Sequence, residues 1–202
     1  MFITYSKMPW DEFILEQFES ALPLGEHDES QYYGPYTTLL TKLFPANEHY
    51  MVVPQYKRPR QLESVDFTTI FLIQRRKHPV FFVEVKPAGH IRNDSTRSAA
   101  DQQMRERVYA LRNDIEIPIL YGVSAIGTKL CFYKYTKDTR QLEPKRLNDD
   151  DTFVVDTAPR ERWDVDLLTD EGEQKFRGII GDVKRMCEQM EQGWLRSLIL
   201  IY

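Results

Sequence analysis

Residues 79–86 have the sequence Pro-Val-Phe-Phe-Val-Glu-Val-Lys, in which two ionisable side chains end an otherwise apolar run. The run is rich in β-branched and aromatic residues, and its nearly continuous apolar character predicts a central strand that is covered on both faces. Burying an ionised group is costly unless it is paired or bound to a metal. Because side chains at positions i and i+2 share one face of a strand, Glu84 and Lys86 are predicted to lie side by side.

A second strand with an isolated charge precedes this run. Residues 65–74 are apolar and β-branched, and the short basic connection after them predicts an antiparallel hairpin. This strand carries Asp66. A two-residue turn would place Thr69 opposite Glu84, which leaves Asp66 about 10 Å away along the strand and on the wrong face. A bulge or a strong bend is therefore required if the two carboxylates are to meet.

The three charged residues suit metal-assisted hydrolysis of a phosphodiester. Asp66 and Glu84 supply the hard carboxylate oxygens that Mg²⁺ or Mn²⁺ prefers. Such a metal polarises the phosphate and lowers the pKa of its bound water. Lys86 is placed to orient the nucleophile and to offset developing negative charge. The roles require all three residues.

The hydrophobic periodicity of the remaining chain predicts an α/β protein. The element order is α, α, β, β, β, α, β, β, followed by a C-terminal helix, and this order predicts a mixed central sheet flanked by helices. A chain of 202 residues is long enough for one good core and too short for two ordinary domains. Helices are predicted at residues 8–22, 35–44, 95–113 and 170–192, and further strands at residues 50–53, 118–124, 129–135 and 152–155.

At these residues the sequence resembles the PD-(D/E)XK nuclease superfamily, which includes restriction enzymes, Holliday-junction resolvases and repair exonucleases. The resemblance covers roughly residues 35–135 and extends to uncharacterised fungal members. Asp66, Glu84 and Lys86 fall on the elements that carry the superfamily's metal-binding Asp and its Glu-x-Lys. Val65 stands where the motif has Pro, a position that members often vary.

The resemblance implies a restriction-endonuclease-like αβββαβ core at residues 31–136 within a single domain of residues 1–202. A helical extension at residues 1–30 and another at residues 137–202 would flank this core. The implied activity is that of a Mg²⁺- or Mn²⁺-dependent endo- or exonuclease, with the backbone carbonyl of Val85 as a further metal ligand. Whether the chain is an enzyme is left open. The alternative is a nuclease-like fold that has lost cleavage and binds nucleic acid or protein.

Supporting residues follow from the same resemblance. Many members carry an acidic residue on the first core helix, for which Glu29 is the nearest candidate here and Glu48 the second. Some relatives place a Gln or Lys on the helix after the third strand, and Gln102 is the candidate for that position. An ordinary polar surface is the alternative interpretation of each. The cations expected to contact nucleic acid are Lys57, Arg58, Arg60, Arg97 and Arg105, and Arg107 on the same helix is expected to add phosphate-binding charge.

Composition and charge restrict which binding partners and which cellular compartment are expected. The net charge of −4 argues against a protein that coats nucleic acid, yet residues 57–112 hold 12 Lys/Arg against 6 Asp/Glu. This basic middle predicts nucleic acid as the partner, DNA rather than RNA, while a homodimer is left open. Two cysteines, the lack of a signal peptide and the lack of a long apolar run predict an intracellular protein of the cytoplasm or nucleus with no membrane partner.

Overall fold

The computed structural model describes residues 10–54, 69–147 and 156–199, with residues 69, 70 and 194–199 described for the backbone only. Within these residues, seven strands form one mixed sheet in the order β1-β2-β3-β4-β5-β6, and β7 pairs with β5. Strands β3 and β4 are parallel, and the other neighbouring strands are antiparallel. The strands are β1 Tyr50–Pro54, β2 Thr69–Arg75, β3 His78–Lys86, β4 Ile119–Ile126, β5 Lys129–Thr136, β6 Gln141–Glu143 and β7 Val165–Asp166.

Four α-helices flank the sheet in the described parts of the chain. They are α1 Glu12–Ala21, α2 Tyr33–Leu43, α3 Asp94–Leu111 and α4 Asp170–Ile199. Helix α1 begins after Asp11, whose carboxylate accepts a hydrogen bond from the Ile14 amide, as an N-cap does. The predicted α/β class, with a mixed sheet between helices, is confirmed. None of the helices in these segments is both long and apolar enough to cross a membrane.

Side chains along β3 point alternately to the two faces of the sheet, and each face packs against a different layer of helices. The ring of Phe81 packs against Phe44, which follows α2, and against Phe176 of α4, with centroids 5.6 and 5.9 Å apart. On the other face, a Cβ placed on Gly122 would lie 2.4 Å from the ring of Phe82 and 2.9 Å from Met104 of α3. Because Phe82, Glu84 and Lys86 alternate with Phe81, the two charged residues face the layer of α3.

The hairpin between β2 and β3 contains the predicted two-residue turn. Arg76 and Lys77 have φ values of 52° and 72°. Two consecutive residues with positive φ form the turn whose twist matches that of antiparallel strands, although the conformation is unusual for residues other than Gly, Asn and Asp. The basic connection therefore closes the hairpin tightly.

The register of this hairpin differs by one residue from the prediction. A β-bulge between Ile73 and Gln74 shifts the pairing, so that Ile70, rather than Thr69, lies opposite Glu84. The extra residue lies on β3, because Ile73 and Gln74 are consecutive whereas their partners Phe81 and Pro79 are separated by Val80. The shift changes which residues of β2 share a face with a given residue of β3. The predicted two-residue-turn register was therefore wrong beyond the bulge. Asp66, whose meeting with Glu84 was expected to require such an irregularity, lies outside the described residues.

The N-terminal and C-terminal helices share one hydrophobic core with the sheet. The core cluster extends from Trp10 to Cys187, and the indole of Trp10 donates a hydrogen bond of 2.7 Å to the carbonyl of Leu167. The short strands β6 and β7 were not predicted, because two or three residues carry no readable periodicity. The strand predicted at residues 152–155 lies outside the described residues.

Candidate functional site

Glu84 and Lys86 lie side by side at the C-terminal end of β3. The side chain of Glu84 is 0% exposed, and that of Lys86 is 9% exposed. The ammonium Nζ of Lys86 is 3.6 Å from Oε1 of Glu84. The predicted placement of these residues on one face of a buried strand is therefore observed.

Glu29 reaches the same ammonium from the short 3₁₀ helix Glu29–Tyr32 that precedes α2. Its Oε2 atom is 3.9 Å from Nζ of Lys86, and its Oε1 atom accepts a hydrogen bond of 3.0 Å from the hydroxyl of Tyr33. Asp28 caps this short helix by accepting a hydrogen bond from the Ser30 amide. The acidic residue that the sequence placed nearest the first core helix thus lies next to Lys86.

Backbone contacts hold the segment before Glu29 against the chain that leaves β3. The Ala88 amide donates to the carbonyl of Gly25 at 2.8 Å, and the Gly89 amide donates to that of Glu26 at 2.9 Å. A Cβ on Gly89 would lie 2.6 Å from the Glu26 carbonyl oxygen, so only glycine permits this approach. Glu29 is therefore positioned by main-chain packing.

Arg107 of α3 contacts Glu84 from the helical layer. Its Nε donates a hydrogen bond of 3.2 Å to Oε2 of Glu84. The two oxygens of the buried carboxylate thus face two different cations, Lys86 and Arg107. From the sequence, Arg107 was expected to contact phosphate, and its pairing with Glu84 was not predicted. Its position three residues after Met104 and one before Val108 places it at the edge of the predicted buried stripe.

His90 lies in the same electrostatic environment. Burial and the positive charge of Lys86 lower the pKa of His90 below its ordinary value, while the carboxylate of Glu29 acts in the opposite direction. When His90 is neutral, the two negative charges of Glu29 and Glu84 are matched by the two positive charges of Lys86 and Arg107. This balance explains how two ionised groups are accommodated at the end of an apolar strand.

The sheet continues as a buried wall beside Glu84. The residue of β4 that pairs with Glu84 is Ser124, which pairs in turn with Cys131 of β5. The hydroxyl of Ser124 accepts a hydrogen bond of 3.3 Å from the indole of Trp163, and both residues are buried. Glu84 therefore lies in a closed environment on this side.

Several predicted site residues lie outside the described residues. They are Asp66, Lys57, Arg58 and Arg60. Asp66 is four positions before Ile70, the residue opposite Glu84. The side chain of Val85 is buried on the opposite face of β3, and its backbone lies between Thr69 and Ala125. Its carbonyl as a metal ligand stays a prediction.

The structure corrects the expectation for Gln102. Its side-chain amide donates to Glu106 at 2.9 Å on the outer surface of α3. Five positions separate Gln102 from Arg107, which places them about 140° apart around the helix axis. Gln103 instead precedes Arg107 by one turn and shares its face. Its Oε1 atom is buried and accepts no hydrogen bond from the described residues.

The expectation that Arg97 contacts nucleic acid is also corrected, because the side chain of Arg97 is buried. Its side chain is 4% exposed. Its Nε donates to the carbonyl of Ala158 at 2.9 Å, and its Nη1 donates to that of Ile91 at 3.0 Å. Its Nη2 donates to the carboxylates of Asp94 and Asp156. The guanidinium therefore joins the start of α3 to the chain after residue 155.

The expectation that Arg105 contacts nucleic acid is corrected as well. Its guanidinium donates to both oxygens of Asp101, at 2.7 and 3.0 Å, and to the carbonyl of Pro144. Asp101 is buried and also accepts hydrogen bonds from Tyr133 and Arg162. Burial raises the pKa of Tyr133, and the nearby carboxylate of Asp101 acts in the same direction. Arg105 thus belongs to a buried network.

The described donors fit a divalent cation in kind and fall short of it in number. Glu29 and Glu84 provide carboxylate oxygens on either side of Lys86, and such oxygens are the ligands that Mg²⁺ and Mn²⁺ prefer. Within the described segments, no three His, Cys, Asp or Glu side chains come together in a way that could hold a metal ion. The further carboxylate that the sequence assigns to this site is Asp66.

Comparison with known proteins adds no relative to this picture: no family model matches the chain, and neither the curated proteins nor the solved structures contain a significant match.

Proposed function

We propose that this chain is a metal-dependent nuclease with a restriction-endonuclease-like core, which hydrolyses phosphodiester bonds of nucleic acid. The observation that carries the proposal is the convergence of Glu84 and Glu29 on the ammonium of Lys86 at the end of a buried strand. Apolar residues would satisfy the fold better at these positions, so the charges indicate chemistry. The order α2, β1, β2, β3, α3, β4 agrees with the αβββαβ core of the superfamily.

Each residue has a distinct task in this proposal. Glu84 and Asp66 would hold Mg²⁺ or Mn²⁺, with Glu29 and the Val85 carbonyl as further oxygen donors. When bound, the metal supplies Lewis-acid stabilisation of the phosphate and a water of lowered pKa. Lys86 orients the attacking water by hydrogen bonding and offsets the negative charge of the transition state. The buried wall beside Glu84 shields these charges from bulk water, which strengthens their interactions.

A second candidate function is a nuclease-like module that binds nucleic acid or protein without cutting. The contact between Glu84 and Arg107 favours it, because a carboxylate already paired with a guanidinium and an ammonium needs no metal to balance its charge. The two functions differ in whether a metal displaces that pairing.

Incubation of the pure protein with single- and double-stranded DNA and RNA in Mg²⁺ or Mn²⁺ tests the proposal. Cleavage is expected, and Glu84→Gln, Lys86→Ala and Asp66→Asn should each abolish it. Glu19→Gln, which removes an exposed carboxylate from α1, is the matched control and should cleave normally. Cleavage that survives the three site substitutions would show that this site is not its source. Nucleic-acid binding without cleavage would favour the second candidate.

A further inference from the structure

Arg107 connects the buried carboxylate of Glu84 to the protein surface. Its Nε is 3.2 Å from Oε2 of Glu84, and the side chain of Arg107 is 23% exposed while that of Glu84 is 0% exposed. The guanidinium therefore covers the carboxylate and still reaches solvent. Rotation about the side-chain bonds of Arg107 can move its guanidinium away from Glu84 while the backbone of α3 stays in place.

A guanidinium and a divalent cation compete for the same carboxylate. Both are drawn to Oε2 of Glu84, and both cannot occupy it, because two cations at one buried oxygen repel each other strongly. Removing Arg107 without replacement would leave Glu84 buried with less compensation, which is strongly unfavourable. Exchange of the guanidinium for a divalent cation keeps the buried carboxylate of Glu84 paired with a positive charge.

We propose that Arg107 is a latch that couples metal binding to nucleic-acid binding. Without substrate, Arg107 holds Glu84 and keeps metal affinity low. A phosphate of the nucleic acid draws the guanidinium outward, since its planar fork matches phosphate oxygens in a bidentate manner, and Glu84 then accepts the metal. This inference rests on the proposed nuclease function and assigns Arg107 as a positioning and phosphate-binding residue of that site.

Titration of Mn²⁺ in the absence of nucleic acid tests the first half of the latch. Arg107→Gln should bind Mn²⁺ about tenfold or more tightly than the wild type, which corresponds to about 1.4 kcal/mol or more. Arg112→Gln is the matched control, because Arg112 caps the C-terminal end of the same helix and its guanidinium carbon lies 3.7 Å from the centroid of the Tyr109 ring. It should bind Mn²⁺ as the wild type does. The double variant Arg107→Gln/Glu84→Gln should lose the gain.

The outcomes separate the latch from the function on which it rests. Equal or weaker Mn²⁺ binding by Arg107→Gln than by the wild type would overturn the latch and leave the metal site standing. If neither protein binds Mn²⁺ saturably, the proposed nuclease site fails as well. Circular dichroism reports whether each variant folds. Should Arg107→Gln be unfolded, Arg107→Lys replaces it, and tighter Mn²⁺ binding than that of the wild type supports the latch while equal or weaker binding overturns it.

Fluorescence anisotropy of a labelled single-stranded oligonucleotide tests the second half. Coupling between two ligands is reciprocal, so Ca²⁺, used in place of the catalytic metal, should tighten oligonucleotide binding by the wild type. Arg107→Gln should bind the oligonucleotide more weakly and respond less to Ca²⁺, and Arg112→Gln should respond as the wild type does. Arg107→Gln with unchanged affinity and unchanged response to Ca²⁺ would overturn the role of the phosphate.

Discussion

The carboxylate of Asp101 on α3 and the guanidinium of Arg162, 61 residues further along the chain, form an ion pair of 2.7 Å between Oδ1 and Nη1. The same carboxylate accepts a hydrogen bond of 2.7 Å from the hydroxyl of Tyr133 on β5 and pairs with Arg105. Asp101 is 6% exposed. One buried carboxylate thus fastens α3, the sheet and the 3₁₀ helix Arg160–Trp163 to each other.

Asp101→Asn should therefore destabilise the fold strongly. The substitution keeps the shape of the side chain but removes the charge that compensates Arg105 and Arg162. Breaking a buried ion pair from one side costs about 3–5 kcal/mol. Urea denaturation measures the free energy of unfolding, and Asp138→Asn, at an exposed turn, is the control. A loss no larger than that of the control would show that the network does not contribute to stability.

Replacing Arg97 should loosen the chain after residue 155 and lower stability. Arg97→Met removes the donors to the Ala158 carbonyl and to Asp156. A hydrogen bond to a charged group contributes about 1.5–3 kcal/mol, so a loss of about 2 kcal/mol or more is expected. Hydrogen exchange should show faster exchange of the backbone amides of Ala158 and of residues 160–163. If the stability and the exchange rates are unchanged, Arg97 does not hold this part of the chain, and the contact with nucleic acid that the sequence suggested again becomes its expected role.

The strands around the site were predictable because their composition is decisive. A run such as residues 79–86 is too apolar and too β-branched for a surface helix, and the parity of Glu84 and Lys86 follows from strand geometry alone. The register with β2 was not predictable. Because β2 and β3 are apolar on both faces, a slip of one residue leaves no mismatch in the pattern, and the bulge at Ile73 and Gln74 has no glycine to mark it.

The polar contacts of α3 were harder to predict for a related reason. The stripe of Ala100, Met104 and Val108 identifies the buried face, but the rotation of the helix on the sheet decides which flanking polar residues turn inward. A difference of one position rotates a side chain by about 100°. This rotation separates Gln103 from Gln102, and it buries Arg97 where an exposed phosphate-binding residue was expected.

Gly122→Ala should destabilise the sheet beneath α3. A Cβ at this position would lie 2.4 Å from Cζ of Phe82 and 2.9 Å from Cε of Met104. Overpacking of a core costs about 1–3 kcal/mol. Gly178→Ala is the matched control: the position lies within α4, no atom outside the adjoining helix backbone and chain neighbours is within 4 Å of the new Cβ, and a gain of about 0.5–1 kcal/mol is expected. Thermal unfolding that ranks Gly122→Ala with the wild type would contradict this packing.

The thiol of Cys131 should make stability depend on alkaline pH. Burial raises the pKa of this thiol from 9.0 to about 12. The folded state therefore holds the proton more tightly than the unfolded state, so the contribution to stability is complete below pH 9.0 and declines as the pH rises toward about 12. Within that window one such group adds a slope of up to about 1.4 kcal/mol per pH unit.

Comparison of the wild type with Cys131→Ala isolates this slope from the other groups that titrate at high pH. Urea denaturation across the alkaline range should show that the wild type loses stability more steeply above pH 9.0 than the variant does, while the difference between them stays constant at lower pH. In the native protein at neutral pH, the buried thiol should react with a thiol reagent only as fast as the chain opens. Parallel pH profiles of the two proteins, or rapid labelling of native Cys131, would show that this thiol lies in a more polar and accessible environment than the packing of β5 provides.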